Sequence, residues 1–261
     1  STLRLAAERG YLRSEHHTHL RCEMCSVDVI TSTERFLAEH PVSLMSLMDH
    51  TPGQRQFRDE DKLRTYYRGK TQMTDAQLDT YFAERHRLHA ENGVSHRRQL
   101  VSIAKSHGIA LASHDDTTLE HVRESQADGV AIAEFPTTEE AAQASHDAGI
   151  AVMMGAPNLV RGGSHSGNVA AETLAQRGTL DIFSSDYVPS SLLIAAFQLA
   201  ERIPGTALPE AIATVTRKPA EAVGMRDRGT IAPGLRADLV QVRPDRVPVV
   251  RGVWREGRRV I

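Results

Sequence analysis

The chain has 261 residues, 40% hydrophobic and 25% charged, with 31 basic and 33 acidic side chains and a formal charge of −2. This composition excludes collagen-like, fibrous and disordered classes, and its near balance of charge leaves no global basic field for a nucleic acid. Two cysteines exclude a disulfide scaffold, and no apolar run approaches the roughly 18 residues of a membrane span. The chain opens Ser1-Thr-Leu-Arg-Leu, without an initiator Met or a basic-then-apolar leader. The expectation is a cytoplasmic protein with no nucleic-acid or membrane partner.

In chain order, short apolar runs occupy His16–Glu23, Val42–Asp49, Ile109–His114, Gly129–Phe135, Ile150–Gly155 and Asp181–Asp186. Several are nearly continuous in apolar residues, as strands covered on both faces are. Helical signals lie between them. Thr117–Ala127 is followed by Gly129, and Pro136-Thr-Thr-Glu-Glu opens a helix with a hydroxyl cap and early acids that Gly149 should end. A further helix is predicted over Val169–Arg177. Such alternation predicts an α/β fold of parallel strands with right-handed crossovers. Six units are present, where a closed (β/α)8 barrel has eight.

The interval 51–108 is an insertion, with helices predicted over Thr74–His89 and Ser95–His107. Its Arg55, Arg58, Lys70 and paired Tyr66–Tyr67 suggest a basic cover for an anionic substrate, an ordinary surface excursion being the other reading. After Gly224 the pattern changes to turns at Gly229 and Pro233–Gly234 and short alternating strands. A division into a barrel over 1–226 and a small β-element over 227–261 follows.

Acid and imidazole side chains gather at the C-terminal ends of the runs. They are Glu23, His50, His114 with Asp115–Asp116, and Asp186. In a parallel barrel these ends meet at one mouth, and two imidazoles with two carboxylates suit zinc or a similar divalent ion. Each one alone also fits a hydrogen-bonded strand end. His17, His19, Arg21 and Glu23 share one face of the first strand, with His19 expected nearer the site. Cys22 and Cys25 are read as two reduced thiols at a strand end, a redox or metal pair being the other reading of their spacing. The stretch from Asn158 through Arg161, Gly162, Gly163, Ser164 and His165 to Asn168 is the anion candidate. Small residues there expose backbone N–H groups, and Arg161 adds a fork of donors.

The strings Ser46-Leu-Met-Asp-His-Thr-Pro-Gly-Gln-Arg-Gln-Phe57, Ala110-Leu-Ala-Ser-His-Asp-Asp-Thr117, Ala133-Glu-Phe-Pro-Thr-Thr138, Met154-Gly-Ala-Pro-Asn158, Arg161-Gly-Gly-Ser-His-Ser-Gly-Asn-Val-Ala-Ala171 and Ser184-Ser-Asp-Tyr187 occur together. With them the chain closely resembles the ribose methylphosphonate triphosphate diphosphatases of phosphonate catabolism (the carbon–phosphorus lyase pathway), within the amidohydrolase superfamily. The match extends over essentially the whole chain, including Arg236-Ala-Asp-Leu239. It implies a metal-dependent (β/α)8 TIM-type barrel with a small β-domain built from both chain ends. The six runs then correspond to strands three to eight, and the His-containing metal motif of the family's first strand lies upstream of Ser1.

The resemblance further implies hydrolysis of the triphosphate to the 5-phosphate and pyrophosphate. Asp186 would bind metal and take the proton of the attacking water, with Glu23, His50 and His114 as further ligands, zinc as the metal, and Arg161 with the Gly162–Gly167 loop on phosphate oxygens. Asn158 and Arg55 join the expected substrate contacts, and a homo-oligomer is expected. The alternatives are an amidohydrolase acting on a C–N bond (a deaminase or cyclic amidase) and an inactive fragment.

Overall fold

The computed structural model describes residues 2–56, 60–71, 73–164 and 167–261, the side chains at 62, 66 and 70 excepted. Six strands form one all-parallel sheet in sequential order. They are β1 His19–Glu23, β2 Leu44–Met48, β3 Ala110–His114, β4 Ile132–Glu134, β5 Ala151–Gly155 and β6 Ile182–Ser184. Each lies within one of the predicted runs, and β1 and β6 are the sheet's edges. Sequential parallel order is the arrangement of a TIM-type barrel, of which this sheet is six strands.

The crossovers are helical. Helix α1 is Thr2–Glu8, α2 Val29–Glu39, α3 Glu60–Thr71, α4 Asp75–His107, α5 Leu119–Asp128 and α6 Glu139–Asp147. After β5 come α7 Ala156–Arg161 and α8 Ala171–Gln176, and after β6 come α9 Ser191–Arg202, α10 Leu208–Ala213 and α11 Arg217–Ala222. The predicted caps are present. The Thr118 side chain accepts from the His121 N–H and Thr138 from the Ala141 N–H, each bond supporting its helix by about 1 kcal/mol.

Residues alternate across the sheet. Outward-facing Met45, Leu47, Leu111 and Ala133 pack against Leu100, Val101 and Ala104 of α4, while Val152 and Phe183 pack under α7 to α9. Burial of a side chain such as Leu47 or Leu100 contributes about 1.5–3 kcal/mol. Inward-facing Leu44, Ala112, Ile132, Met153 and Ile182 form a separate apolar layer. The polar ends of the strands rest on that layer.

The insertion departs from the prediction. Its two expected helices are one 33-residue helix, α4, running through Glu91-Asn-Gly-Val94 without a break. A glycine in a helix costs about 1 kcal/mol, but contacts on both sides of Gly93 offset it. Asn92 Nδ2 donates to the Cys25 carbonyl (3.3 Å), and His96 Nδ1 to the Met24 carbonyl (2.9 Å). The helix starts at a capping box between Thr74 and Gln77. It stops at Gly108, whose φ of 65° lets the chain turn left-handed and close the last turn on Ala104 and Lys105. Tyr67 packs edge-on with Tyr81 (5.4 Å) beside buried Leu63, Leu78 and Phe82, so it belongs to the insertion's own core rather than to a cover. Arg58 lies outside the described residues, as do the side chains of Tyr66 and Lys70.

At the other end, β7 Leu239–Arg243, β8 Val249–Arg255 and β9 Arg258–Arg259 form an antiparallel sheet with a bulge at Gln241/Val242. Glu15 accepts from Arg228 Nη1 (3.1 Å) and Arg236 Nη1 (2.8 Å), tying the start of the chain to the segment that leads into this sheet. Those two guanidinium groups hold the Glu15 carboxyl below its ordinary pKa. Among the described residues no helix is long and apolar enough to cross a membrane.

Candidate active site

Above the apolar layer the inward positions turn polar. Ser46 Oγ donates to Glu134 Oε2 (2.7 Å), and His114 Nδ1 donates to the same oxygen (3.0 Å). His19 Nε2 lies 3.6 Å from the other oxygen of Glu134 and also contacts Ser46. Burial alone would raise the Glu134 carboxyl. The His114 hydrogen bond and the charges of His114 and His19, with Ser46, outweigh it and keep the group below its ordinary pKa. Burial lowers His19. With Nδ1 held by Glu134, the His114 ring turns its Nε2 toward the mouth, 3.3 Å from Arg21 Nη2.

His50 is oriented by Glu23. Its backbone N–H donates to Oε1 (3.1 Å) and its Nδ1 to Oε2 (2.6 Å), and this bond raises the imidazole pKa. The His50 and His114 rings stand edge-on, 5.5 Å apart. Asp115 follows directly, 3% exposed, with φ of 55° and an Oδ2 that has no hydrogen-bond partner among the described residues. That oxygen is 3.5 Å from His114 Nε2, and burial raises the carboxyl pKa. Ligand atoms of His50, His114 and Asp115 lie within 4.8 Å of one another. Two imidazole nitrogens and an orphaned buried carboxylate oxygen fit a divalent cation.

Asp186 stands across the mouth, exposed, with φ of 48° and its N–H on Ser184 Oγ (3.1 Å). It lines the same cavity of about 260 Å3 as His50, His114, Asp115, Asn158, Arg161 and Ser164. Gly155 makes this approach possible, since a Cβ there would sit 3.2 Å from Asp186 Oδ2. Among the described residues, three of the five non-glycine residues at positive φ, Asp115, Phe135 and Asp186, directly follow or lie just past β3, β4 and β6. Strained backbone of this kind gathers where side chains are aimed at a site.

Several expected contacts take a different form. Glu23 is engaged with His50 and is outside the group of three, where Asp115 stands instead. Arg55 does not reach the cavity. Its guanidinium is 6% exposed, bonded to Asp116, and donates through Nη1 to the His114 carbonyl (3.3 Å). The N–H groups of Gly162 and Gly163 both donate to the Asn158 carbonyl (3.1 and 2.8 Å), closing the short helix α7. Asn158 Oδ1 accepts from the Ala171 N–H (2.9 Å). Arg161 lines the cavity, and its Nη2 donates to the Gly163 carbonyl (3.0 Å). His165 lies outside the described residues. Glu134 and Asp115 carried a signal in the sequence, an acid closing an apolar run, that did not separate them from their neighbours.

Such a sheet, with imidazoles and carboxylates converging at its C-terminal ends, defines a hydrolase-type barrel protein whose mouth carries a candidate cation-ligand group. A family model described as the amidohydrolase family matches residues 5–261. The chain is 51% identical over 255 residues to alpha-D-ribose 1-methylphosphonate 5-triphosphate diphosphatase of Escherichia coli (strain K12), covering 97% of this chain and 68% of that protein. The chain belongs to the amidohydrolase family. Two solved structures share the fold. One is an uncharacterized protein with a TM-score of 0.60 and 16% identity, over 99% of this chain and 72% of that one. The other is N-isopropylammelide isopropylaminohydrolase from Burkholderia multivorans, with a TM-score of 0.51 and 18% identity, over 94% of this chain and 70% of that one.

Proposed function

We propose that the chain hydrolyses alpha-D-ribose 1-methylphosphonate 5-triphosphate to the 5-phosphate and pyrophosphate, in phosphonate catabolism. The observation that carries this reading is the cavity in which His50, His114, Asp115 and Asp186 face Arg161, in a chain 51% identical to a diphosphatase acting on that substrate. His50, His114 and Asp115, with Asp186 across the mouth, would hold a divalent metal, zinc by the donor set. Such a metal supplies a Lewis acid for phosphoryl oxygens and a water that ionises near neutral pH.

The side chains do the rest. Glu134 accepts from His114 Nδ1, which keeps Nε2 aimed at the mouth, and Glu23 holds His50 in the same manner. Asp186 accepts the proton of the attacking water as the anhydride between the first and second phosphates breaks, with pyrophosphate leaving. Arg161 and Arg21, both lining the cavity, hold the anionic oxygens. The Asn158 side chain, fixed by the start of α8, shapes the wall between them. A cytoplasmic homo-oligomer is the setting we expect.

Turnover of the ribose triphosphate, followed as pyrophosphate released, tests this reading against cyclic amides and aminopurines. Turnover of amides alone would overturn it. Dialysis against a chelator should abolish pyrophosphate release, and added zinc should restore it. Full activity in metal-free protein would remove the metal from the reaction. Arg161→Ala should raise KM for the triphosphate by roughly 10-fold or more, the worth of about one charge-assisted bond, and leave a neutral analogue unaffected. An equal change for both substrates would show that Arg161 does not act on charge.

A further inference from the structure

We propose that Cys25, Asp49 and His89 form a second metal site, for one zinc-class cation, that clamps the long helix α4 to the ends of β1 and β2. Cys25 lies two residues past β1, Asp49 is the first residue after β2, and His89 is midway along α4. Their ligand atoms fall within 4.8 Å of one another. The Cys25 Sγ is 3.4 Å from Asp49 Oδ1 and 3.8 Å from His89 Nδ1, and His89 Nδ1 is 2.8 Å from Asp49 Oδ2. The same ring nitrogen faces both the thiol and the carboxylate. A nucleophilic Cys–His–Asp relay uses opposite nitrogens of the ring, so this arrangement is not one. Three ligand atoms of this kind within 4.8 Å of one another suit a shared cation.

The surroundings support a closed site with one open side. Cys25 and Asp49 are buried, whereas the His89 side chain is 37% exposed and gives a fourth ligand, a water, its access. Thr51 orients the carboxylate through its N–H on Asp49 Oδ1 (3.0 Å), and its Oγ1 lies 3.6 Å from Cys25 Sγ. One turn along α4 from His89, Asn92 holds the Cys25 carbonyl. Burial and the Asp49 charge push the Cys25 thiol up to about 12, so the cluster as it stands is protonated at sulfur. Cation binding would displace that proton into solvent. Thiolate, imidazole and carboxylate together select zinc-class ions over magnesium or calcium.

None of the three residues lines the mouth cavity, although Asp49 precedes His50 in sequence. The site therefore stands apart from the proposed hydrolysis and survives if that reading fails. It would staple the insertion to the barrel through side chains rather than through packing alone.

Cobalt(II) replacing zinc in the full chain gives the decisive readout, because a thiolate ligand adds a near-ultraviolet charge-transfer band. The mouth group of His50, His114 and Asp115 has no sulfur and cannot produce it. The band is expected in the unmodified protein and in a His114→Asn variant, and is expected to vanish in Cys25→Ser. His89→Ala changes a half-exposed residue and should fold. It should weaken cobalt affinity at this site by at least about 100-fold, more than the loss of an outer-shell partner. No band in folded, cobalt-treated wild-type protein would overturn the proposal. So would a band of full intensity in both Cys25→Ser and His89→Ala.

Discussion

Asp186→Asn is expected to lower the rate of anhydride hydrolysis by roughly 100- to 10,000-fold, the range for loss of a positioned proton acceptor. The amide keeps the shape of the carboxylate but neither accepts the proton of the attacking water nor carries the charge that a cation attracts. The fold should not respond. Asp186 is exposed, its backbone N–H bond to Ser184 Oγ is independent of the side chain, and Asn tolerates a φ of 48° as well as Asp does. Turnover measured beside the far-ultraviolet circular dichroism of both proteins checks this. A rate within tenfold of wild type would take Asp186 out of the reaction.

The second large effect is on stability. Asp116→Ala should cost about 3–5 kcal/mol, because it removes the buried carboxylate bonded to the Arg55 guanidinium and leaves only the half-exposed Glu124 (3.4 Å) as a charged partner. Arg55 is 6% exposed and Asp116 1%, and Asp116 Oδ2 also accepts from Ser125 Oγ (3.0 Å). For a chain of this size the loss corresponds to a Tm lower by roughly 6 to 20 °C. Adding Arg55→Met to Asp116→Ala should recover part of it, since the pair of apolar residues leaves no charge stranded. Urea denaturation of the three proteins measures the terms. A loss below about 1 kcal/mol in Asp116→Ala would mean that water reaches Arg55 and the pair behaves as an exposed one. The same contact matters to the mouth. Arg55 joins the insertion to the end of β3, where Thr117 Oγ1 is 3.0 Å from the Arg55 carbonyl and where His114 and Asp115 begin the site.

Local patterns carried much of this architecture. Apolar runs bounded by turns mark all six parallel strands, because a strand covered on both faces needs apolar residues at nearly every position. Thr118 and Thr138 mark helix starts because a hydroxyl in that position satisfies an N–H that the helix cannot. The ends of the apolar runs put His114 and Asp186 at the same end of the sheet. The longer strings carried the family.

Tertiary structure decided which neighbours those residues have. Residues 90–94 read as a gap between two helices, yet Asn92 and His96 hold that stretch to the loop after β1 within one helix. Arg55 reads as a substrate cation, yet a buried Asp116 takes its guanidinium. Gly162 and Gly163 read as an anion cradle, yet their N–H groups close a helix. Asp115 rather than Glu23 joins the two imidazoles, since Glu23 accepts both donors of His50. Cys25, Asp49 and His89 are separated by 24 and 64 positions from first to second and first to third, and no spacing rule relates them. Propensity and periodicity act over a few residues, whereas the partner of a charge or a donor is chosen by burial, after the chain has closed on itself.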